Sequence, residues 1–523
     1  MELNLPLHGA GMPKPPAATV WEMLGHTVAS VPDWPALRHR DTALTWGEVG
    51  RAATALAARL AASVAPGGVV AVVLPNSIEF QVAYFAALRA RTAPALLNPV
   101  YPAPQLEKLL AEVAPRAVLC APATRAAVTA LAATLGIPEV ICLGEEVTLA
   151  DLLAAPAAPA SLPPVPAPGD IAAILFSGGT TGLSKAVLHA HGRLVAATRC
   201  MDYSWPTRTE GEVFLPVAPF THIYGFVQGV LHPVAARGES VIPERFQPEH
   251  IVDLLSRHRV TFFGGGPPAI YGGILAAQNL AGADLSALRV SPAGGAPFPV
   301  ELMDRWRALT GQDIHEGYGM TEFAPISGTT SLTGLRPGSV GKAMPCNEVE
   351  IVDLDTGTRV LPPGERGEVR ARGPHMMLGY WNRPEETARI VRDGFIYTGD
   401  IGHLDADGFL FITDRRKDVV LVKGFNVFPR EVEEAIYTHP AVAAAGVVGA
   451  PDPRSGERLV AFIVPRAGAD LEPAEIAAQC AARLAPYQCP ADIRIVAALP
   501  VTGAQKLDRI ALRRLAAGEG DGP

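Results

Sequence analysis

Apolar and polar residues alternate with two different periods along the first half of the chain. Residues 45–64 (TWGEVGRAATALAARLAASV) repeat apolar residues at helical spacing behind Thr45, a residue type that caps helices. The run GGVVAVVLPNS that follows is short and β-branched and ends in turn residues, as buried strands do. The helix-like EFQVAYFAALRAR, the strand-like RAVLCAP at 116–122 and similar units near 211–243 and 246–264 continue the alternation. Strands that alternate with helices predict a parallel sheet covered on both faces.

The pattern changes twice further along the chain. From 346 to 412, alternating residues interrupted by Asp-Thr-Gly and Pro-Pro-Gly turns favour antiparallel hairpins. After Asp414 a basic stretch, RRKDVVLVKG, precedes a predicted helix from Pro429, two predicted strands (AAAGVVGA and LVAFIVP) and a predicted helix at 473–485. We therefore predict an α/β protein with a large N-terminal domain (1–414) of mixed α/β layers plus an antiparallel β subdomain. A small α+β C-terminal domain (415–523) follows it.

Composition limits the class of protein. A chain of 523 residues is too long for one core, so roughly two to four domains or subdomains are expected. The net charge of −8 argues against general nucleic-acid binding. Six scattered cysteines, the absence of a signal-peptide pattern and the absence of an apolar run of about 18 to 20 residues predict a cytoplasmic protein without a membrane span. The oligomeric state stays open, with a homodimer as one option.

A loop rich in glycine and hydroxyl groups carries the first sign of chemistry. The apolar strand from Ile171 to Phe176 runs into the segment SGGTTGLSK, which ends at Lys185. Glycines let main-chain N–H groups turn toward an anion, hydroxyls add donors, and the lysine adds a mobile positive charge. The spacing differs from a Walker A loop, because Lys185 lies three residues after Gly182. It also differs from a nucleophile elbow, because Ala186 stands where glycine is required. By itself the loop fits a phosphate site and a surface turn equally well.

Four further motifs follow the loop in one order. They are GYGMTE at 317–322, YTGD at 397–400, DRRKDVVLVKGFNVFPREVE at 414–433 and PVTGAQKLDR at 500–509. With these motifs the chain resembles the adenylate-forming (AMP-binding) superfamily, which contains acyl-CoA synthetases, aryl-CoA ligases, luciferases and peptide-synthetase adenylation domains. The resemblance covers nearly the whole chain. It implies that ATP, Mg²⁺ and coenzyme A are the cofactors, and that the C-terminal domain is mobile.

The resemblance assigns most site residues to ATP and coenzyme A. The glycine-rich loop would bind the β- and γ-phosphates, and Tyr318 would stack on adenine. Asp400 and Arg415 would hold the ribose hydroxyls, Lys417 would lie at the hinge, and Gly424 would let the pantetheine arm pass. The implied cofactor-binding residues are Ser177, Gly178, Gly179, Thr180, Thr181, Gly182, Lys185, Gly294, Gly295, Ala296, Gly317, Tyr318, Gly319, Met320, Asp400, Arg415, Lys417, Lys423 and Gly424.

The resemblance also implies four catalytic residues and a metal site. Thr321 would donate to the α-phosphate, and Glu322 would ligate Mg²⁺, with Thr181 as the second metal ligand. Lys506 would meet the carboxylate and the α-phosphate, although Gln505 replaces the usual glycine before it. His222 would lie near the substrate carboxylate; a buried core histidine is the alternative. His189 and His191 form a His-x-His pair that we interpret as structural.

The implied reaction has two steps. A carboxylate attacks the α-phosphorus of ATP to give acyl-AMP and pyrophosphate, and a thiol, that of coenzyme A, then attacks the mixed anhydride. The pocket would lie near 222–226, 264–266, 293–296 and 317–326, where small and apolar residues predict a hydrophobic acid (fatty, alicyclic or aryl), with Tyr224 as a polar anchor. The alternatives are an acyl-AMP ligase that loads a carrier protein, a luciferase-like oxygenase and an inactive nucleotide-binding homologue.

Overall fold

The computed structural model describes residues 17–156, 162–177, 184–208, 211–296, 298–422, 425–452, 456–466, 468–501 and 507–518. In these ranges the helices are α1 Val20–Ser30, α2 Trp46–Ser63, α3 Ile78–Arg89, α4 Ala103–Val113, α5 Arg125–Leu135, α6 Leu149–Ala154, α7 His191–Ser204, α8 Ile223–Phe226, α9 His232–Ala236, α10 Pro248–Arg257, α11 Pro268–Leu275, α12 Val300–Thr310, α13 Pro384–Ile390, α14 Pro429–Tyr437, α15 Pro473–Ala481 and α16 Arg509–Ala517. A π-type turn, Val227–Leu231, joins α8 to α9.

The strands in the same ranges are β1 Pro35–His39, β2 Thr42–Thr45, β3 Val69–Val73, β4 Ala93–Leu96, β5 Ala117–Cys120, β6 Glu139–Cys142, β7 Ile171–Ser177, β8 Lys185–Ala190, β9 Val213–Pro216, β10 Glu239–Ile242, β11 Phe262–Gly264, β12 Ser291–Gly294, β13 Ile314–Met320, β14 Phe323–Gly328, β15 Lys342–Ala343, β16 Glu348–Val352, β17 Gly367–Arg372, β18 Gly379–Tyr380, β19 Val391–Arg392, β20 Phe395–Leu404, β21 Leu410–Arg415, β22 Val420–Val422, β23 Phe425–Val427, β24 Val442–Asp452, β25 Gly456–Pro465 and β26 Asp492–Ile495.

The chain divides into two compact units. The first unit comprises Met1–Val349 and Ala371–Ile396, and the second comprises Glu350–Arg370 and Tyr397–Pro523. The predicted domain division between residues 414 and 415 concerns which parts move together, and compactness does not test that. It stays a prediction.

A seven-stranded sheet in the first unit carries the predicted alternation of strands and helices. Its order is β18-β8-β7-β4-β3-β5-β6, with β3 to β7 parallel and β8 and β18 antiparallel at one edge. Val70 and Val72 of β3 pack in one apolar cluster with residues of α2 and α3. Ala71 and Val73 pack in a second cluster with residues of α4 and α5. Because alternate side chains of a strand point to opposite faces, both faces of this sheet are buried, as predicted.

Two more sheets lie in the first unit. One has the order β11-β9-β10-β1-β2 and is parallel except for β2. The other has the order β12-β13-β14-β15, with β12 parallel to β13 and the following pairs antiparallel. This second sheet carries the GYGMTE motif on β13 and in the turn that follows it.

The antiparallel strands predicted for 346–412 are confirmed. A five-stranded sheet has the order β16-β17-β20-β19, and β20 pairs antiparallel with β19 and with β21. The α+β texture predicted near the C-terminus is also confirmed. There, β24 and β25 pair antiparallel along almost their full length, with β22, β23 and β26 beside them and the apolar faces of α14 and α15 against the sheet.

The helix predicted at 45–64 begins at Trp46, directly after its predicted cap residue Thr45. Thr45 accepts from the main-chain N–H of Glu48, and the Glu48 carboxylate accepts from the N–H of Thr45, which forms a complete capping box. Among the described residues, no helix combines the length and apolar character needed to cross a bilayer.

The buried face of α2 gives a stability prediction. Leu56 is fully buried in the cluster beneath the seven-stranded sheet, whereas Leu332 is 61% exposed. We expect Leu56→Ala to lower the free energy of unfolding by about 2–5 kcal/mol, because it removes apolar burial and leaves a cavity. The matched control, Leu332→Ala, should change it by less than about 0.5 kcal/mol. Urea unfolding of the full chain measures both, and equal effects would contradict the assignment of α2 to the core.

Candidate active site

The predicted phosphate loop connects the two strands of a hairpin. β7 and β8 pair antiparallel, with Ser177 and Lys185 as the last partners in the register. The main-chain N–H of Lys185 donates to Ser177 Oγ at 3.4 Å, which joins the two ends of the loop. The predicted residues between them lie outside the described residues: Gly178, Gly179, Thr180, Thr181 and Gly182.

The Lys185 ammonium group contacts an acid and an aromatic ring. Its Nζ lies 2.7 Å from Glu386 Oε2 and 4.8 Å from the centroid of the Tyr380 ring. Hydrogen bonds from Lys185 and Arg383 lower the pKa of Glu386, so this carboxylate stays ionised. Lys185 is 27% exposed, so an anion that arrives from solvent can reach its ammonium group.

Tyr380 connects Lys185 to a buried carboxylate. The Tyr380 hydroxyl donates to Glu322 Oε1 at 2.7 Å, and Glu322 is only 6% exposed. Burial and the neighbouring Glu322 charge raise the pKa of Tyr380, which keeps its phenol protonated as a donor. Tyr380 reaches this position because β18 pairs with β8, where Tyr380 lies opposite Val187. Lys185, Tyr380 and Glu322 therefore form one connected set beside the loop.

The main chain of the predicted catalytic pair is held from two sides. His189 Nε2–H donates to the carbonyl of Thr321 at 2.9 Å, and the N–H of Met377 donates to the carbonyl of Glu322 at 2.8 Å. Arg193 Nη1 in turn donates to the carbonyl of Met377 at 2.7 Å. This contact agrees with a structural role for His189. The main chain that it holds belongs to the GYGMTE motif.

Close approach of main chains explains one of the predicted glycines, and a positive φ explains another. Gly294 lies opposite Gly317 in the parallel pair of β12 and β13. A Cβ atom on Gly294 would lie 2.6 Å from the Gly317 carbonyl oxygen, so a side chain does not fit there. Gly295 has a φ of +85°, and both Gly295 and Ala296 are exposed at the end of β12. This edge therefore presents main chain to solvent, where a flat ligand could lie along it.

The GYGMTE motif forms the end of β13 and a tight turn. Met320 pairs with Phe323, so Thr321 and Glu322 occupy the turn between β13 and β14. Tyr318 is half-buried on the same strand, opposite Ser327. A Cβ atom on Gly319 would lie 3.0 Å from the Ala324 side chain, which favours glycine.

His222 is exposed and lies at the start of α8. Its Nδ1 accepts from the main-chain N–H of Tyr224 at 3.3 Å, so it caps this short helix. The exposed ring does not fit the alternative of a buried core histidine. The Tyr224 hydroxyl donates to the carbonyl of Pro292 at 2.9 Å, and the Tyr271 hydroxyl donates to the same carbonyl at 2.8 Å. The proton that a polar anchor would donate is therefore already used inside the protein.

In the second unit, the predicted ribose pair lies on adjacent strands. Asp400 of β20 and Arg415 of β21 are partners in the antiparallel register, with Arg415 Nε 3.7 Å from Asp400 Oδ1. Lys417 is exposed in the 3₁₀ turn Arg416–Asp418 directly after β21. Lys423, Gly424 and Lys506 lie outside the described residues.

Sequence patterns did not predict two residues that contact the motifs, or a third that supports the neighbouring Met377 contact. Tyr380 and Glu386 stand in GYWNRPEE, 58 or more residues from Glu322, and only the pairing of β18 with β8 brings them together. Arg193 lies in α7, far from Met377 in the chain. The local sequence feature that indicates Tyr380 and Glu386 is a tyrosine followed by two acids in the first turn of a helix.

Two family models match the chain. Residues 24–381 match the AMP-binding enzyme model, and residues 431–506 match the AMP-binding enzyme C-terminal domain. The first match alone covers more than half of the chain. The chain belongs to the AMP-binding enzyme family. The resemblance inferred from the five motifs is confirmed.

Relatives of this AMP-binding enzyme align over nearly its full length. Long-chain-fatty-acid–CoA ligase of Bacillus subtilis (strain 168) is 32% identical, with 94% of each chain covered. Feruloyl-CoA synthase of an Amycolatopsis species is 34% identical and covers 92% of this chain and 95% of its own. The crystal structure of ATP-bound MatB from Rhodopseudomonas palustris superposes with a TM-score of 0.88 at 29% identity, covering 95% of this chain and 98% of MatB. The predicted adenylate-forming fold is confirmed.

The buried histidines of this AMP-binding enzyme give a pH prediction. Burial lowers the pKa of His189 and of His191 from 6.5 to about 4. Between pH 6.5 and 4 the unfolded chain binds protons that the folded chain does not, so stability falls as the pH falls through this window. Each histidine contributes about 3 kcal/mol to this loss.

His189→Gln keeps a donor for the Thr321 carbonyl and removes the titrating group. We expect the loss of stability between pH 6.5 and 4 to be about 3 kcal/mol smaller in this variant, because only the His189 share disappears. Urea unfolding at a series of pH values measures the difference. An unchanged pH dependence would show that His189 titrates normally in the folded protein.

Proposed function

We propose that this AMP-binding enzyme activates a hydrophobic carboxylic acid with ATP and transfers the acyl group to coenzyme A through an acyl-adenylate. Pyrophosphate and AMP would be released. The observation that carries the proposal is the connected set of Lys185, Tyr380 and Glu322 beside the glycine-rich loop. A cation and a buried carboxylate at one loop provide the two groups that a metal-bound triphosphate needs. The activities that the relatives are named for, ligation of long-chain fatty acids and of ferulate to coenzyme A, support it.

In the proposed phosphate site, the lysine changes its anionic partner when ATP binds. Lys185 pairs with Glu386, and we propose that the β- and γ-phosphates take over this ammonium group when ATP binds. Glu322 is a hard oxygen donor whose carboxylate is oriented by Tyr380, so it fits Mg²⁺, with Thr181 as the second proposed ligand. The metal would neutralise phosphate charge.

In the first step the substrate carboxylate attacks the α-phosphorus. A bond forms between the carboxylate oxygen and phosphorus, and the bond to the bridging oxygen of pyrophosphate breaks. Thr321 would donate to the α-phosphate, and its position is set by the His189 contact to its carbonyl. Lys506 would lie between the two anionic oxygens, and His222 near the carboxylate. In the second step the thiol of coenzyme A displaces AMP.

We propose that the second unit supplies ribose and coenzyme A contacts. Asp400 can accept from two ribose hydroxyls, and the guanidinium of its register partner Arg415 lies 3.7 Å from its carboxylate. Lys417 would lie at the hinge between residues 1–414 and 415–523, and Lys423 with Gly424 would border the pantetheine arm. A hinge allows one site to present different neighbours to the two steps.

The proposed acid is hydrophobic and of medium size or longer. Two of the implied pocket segments, 264–266 and 293–296, consist of glycine and alanine. The tyrosine expected to be a polar anchor, Tyr224, donates its proton to the Pro292 carbonyl and offers mainly its ring. An apolar tail is therefore favoured over a second polar group.

The activity assay separates the two steps. ATP–pyrophosphate exchange over a panel of fatty, alicyclic, aryl and dicarboxylic acids tests adenylation, and thioester formation with coenzyme A or with a carrier protein tests transfer. We expect exchange with the monocarboxylic apolar acids, transfer to coenzyme A, and a loss of exchange of about 10²–10³-fold in Lys506→Ala. Exchange at the wild-type rate in Lys506→Ala would contradict the role of Lys506, and transfer to carrier protein alone would contradict the coenzyme A assignment.

Tyr380 tests the connected set directly. Tyr380→Phe keeps the ring beside Lys185 and removes the donor to Glu322. We expect acid-dependent exchange to fall by about 10–100-fold, with a higher Mg²⁺ concentration needed for half-maximal rate, because a ligand loses its orienting hydrogen bond. The control is Tyr84→Phe, the same deletion at a buried tyrosine whose hydroxyl meets no partner among the described residues. Equal rates in both variants would contradict the positioning role.

A further inference from the structure

A cluster of two cysteines and a histidine lies behind the GYGMTE turn. Cys200 of α7 is fully buried, and Cys346, between β15 and β16, is half-buried. Their Sγ atoms are 3.1 Å apart, and His375 Nδ1 lies 4.0 Å from Cys346 Sγ. All three residues belong to the first unit. None of the proposed steps uses them.

One ring nitrogen of His375 faces Cys346, the less buried of the two cysteines. His375 Nε2 lies 2.7 Å from the carbonyl of Pro325, which can only accept, so Nε2 carries the proton. The other ring nitrogen, Nδ1, faces Cys346 Sγ. Contacts with Cys200 and His375 lower the pKa of Cys346, whereas its contact with Cys346 and burial raise the pKa of Cys200. These directions favour the thiolate at the half-buried Cys346 over the fully buried Cys200.

The sulfur distance favours a redox pair over a metal site. Two thiolates on one tetrahedral Zn²⁺ lie about 3.7 Å apart, because each Zn–S bond is about 2.3 Å long. The observed 3.1 Å is shorter and lies between that spacing and a covalent bond. The described part of the chain supplies only three soft ligands here, Cys200, Cys346 and His375, where a closed structural zinc site needs four.

We propose that Cys346 and Cys200 form a modification site for hydrogen peroxide, with Cys346 as the reacting thiol and Cys200 as the resolving thiol. The Cys346 thiolate attacks peroxide: an S–O bond forms, the O–O bond breaks, and hydroxide leaves as water after protonation. The Cys200 thiol then attacks the sulfenic sulfur: an S–S bond forms, the S–O bond breaks, and a second water leaves with the Cys200 proton. Two thiols are oxidised to one disulfide, and one peroxide is reduced to two waters.

A second cysteine pair in the first unit serves as an internal control for the Cys200–Cys346 pair. Cys120 and Cys142 are register partners on β5 and β6 and are both fully buried. Burial raises the pKa of both thiols, and for Cys120 it does so to about 12. These thiols are therefore protonated and shielded, so peroxide should not oxidise them.

A disulfide here would act on the main chain of the proposed site. Asn347, next to Cys346, donates through Nδ2 to the carbonyls of Pro325 and Ile326 at 2.8 and 2.9 Å, just after Glu322. His375 also holds the Pro325 carbonyl. Closing the Sγ distance to the roughly 2.05 Å of a disulfide moves these anchors by about 1 Å. This consequence rests on the proposed function, and displacements of that size slow catalysis by up to about 10²-fold.

The experiment treats the reduced full-length protein with hydrogen peroxide and maps disulfides by mass spectrometry of peptides. We expect a Cys200–Cys346 link that dithiothreitol removes, together with free Cys120 and Cys142. In Cys200→Ser, dimedone should trap a sulfenic acid at Cys346. In Cys346→Ser, peroxide-dependent thiol loss should slow by about tenfold or more, because the thiolate is gone. The control variant Cys142→Ser should behave like wild type.

Several results would overturn the proposal. One is a disulfide between other cysteines, and another is peroxide-dependent thiol loss in Cys346→Ser at the wild-type rate. A third is about one equivalent of zinc bound to the reduced wild type and lost in Cys346→Ser. The mapping on wild type needs no substrate, so it stands even if a serine variant fails to fold. Acid-dependent pyrophosphate exchange is then compared before oxidation, after oxidation and after re-reduction. A mapped disulfide with an unchanged exchange rate would overturn the coupling, whereas no exchange in the reduced protein would count against the proposed function alone.

Discussion

A buried carboxylate is costly unless hydrogen bonds and cations compensate it, and the first unit is organised around that constraint at Glu322. Its donor, Tyr380, is available only because β18 adds to the edge of the seven-stranded sheet next to β8. Helix α13 follows this short strand, and its Glu386 pairs with Lys185, the first residue of β8. One edge pairing therefore satisfies the buried acid and positions the cation of the loop.

Main-chain contacts hold the turn at Glu322 from two sides. The turn that holds Thr321 and Glu322 receives donors from β8, through His189, and from the segment before β18, through Met377. Both contacts go to carbonyl groups, so they fix the path of the turn through its main chain. The sheet of β12 to β15 adds a further constraint, because Gly294 lies too close to the Gly317 carbonyl oxygen to carry a side chain.

The cysteine cluster lies one layer behind this turn. The Pro325 carbonyl accepts from both His375 and Asn347. His375 also contacts Cys346, and Asn347 is the next residue after Cys346, so the main chain that leaves the turn is linked to the cysteine pair. In a close-packed interior a change of about 1 Å at such anchors has no free volume to absorb it. A covalent change at Cys346 is therefore transmitted along hydrogen bonds that already exist in the fold.

The sequence by itself determined the local elements, the family and the order of the motifs. Helix α2 with its Thr45 cap, the buried strands and the change to antiparallel hairpins follow from periods and turn residues, which are local properties of the chain. Only the tertiary structure decided which side chains surround the motifs. Tyr380, Glu386 and Arg193 join the site through strand pairing and packing between distant segments, and no periodicity encodes such pairings. The same holds for Cys200 and Cys346, which are scattered in the sequence and 3.1 Å apart in the fold.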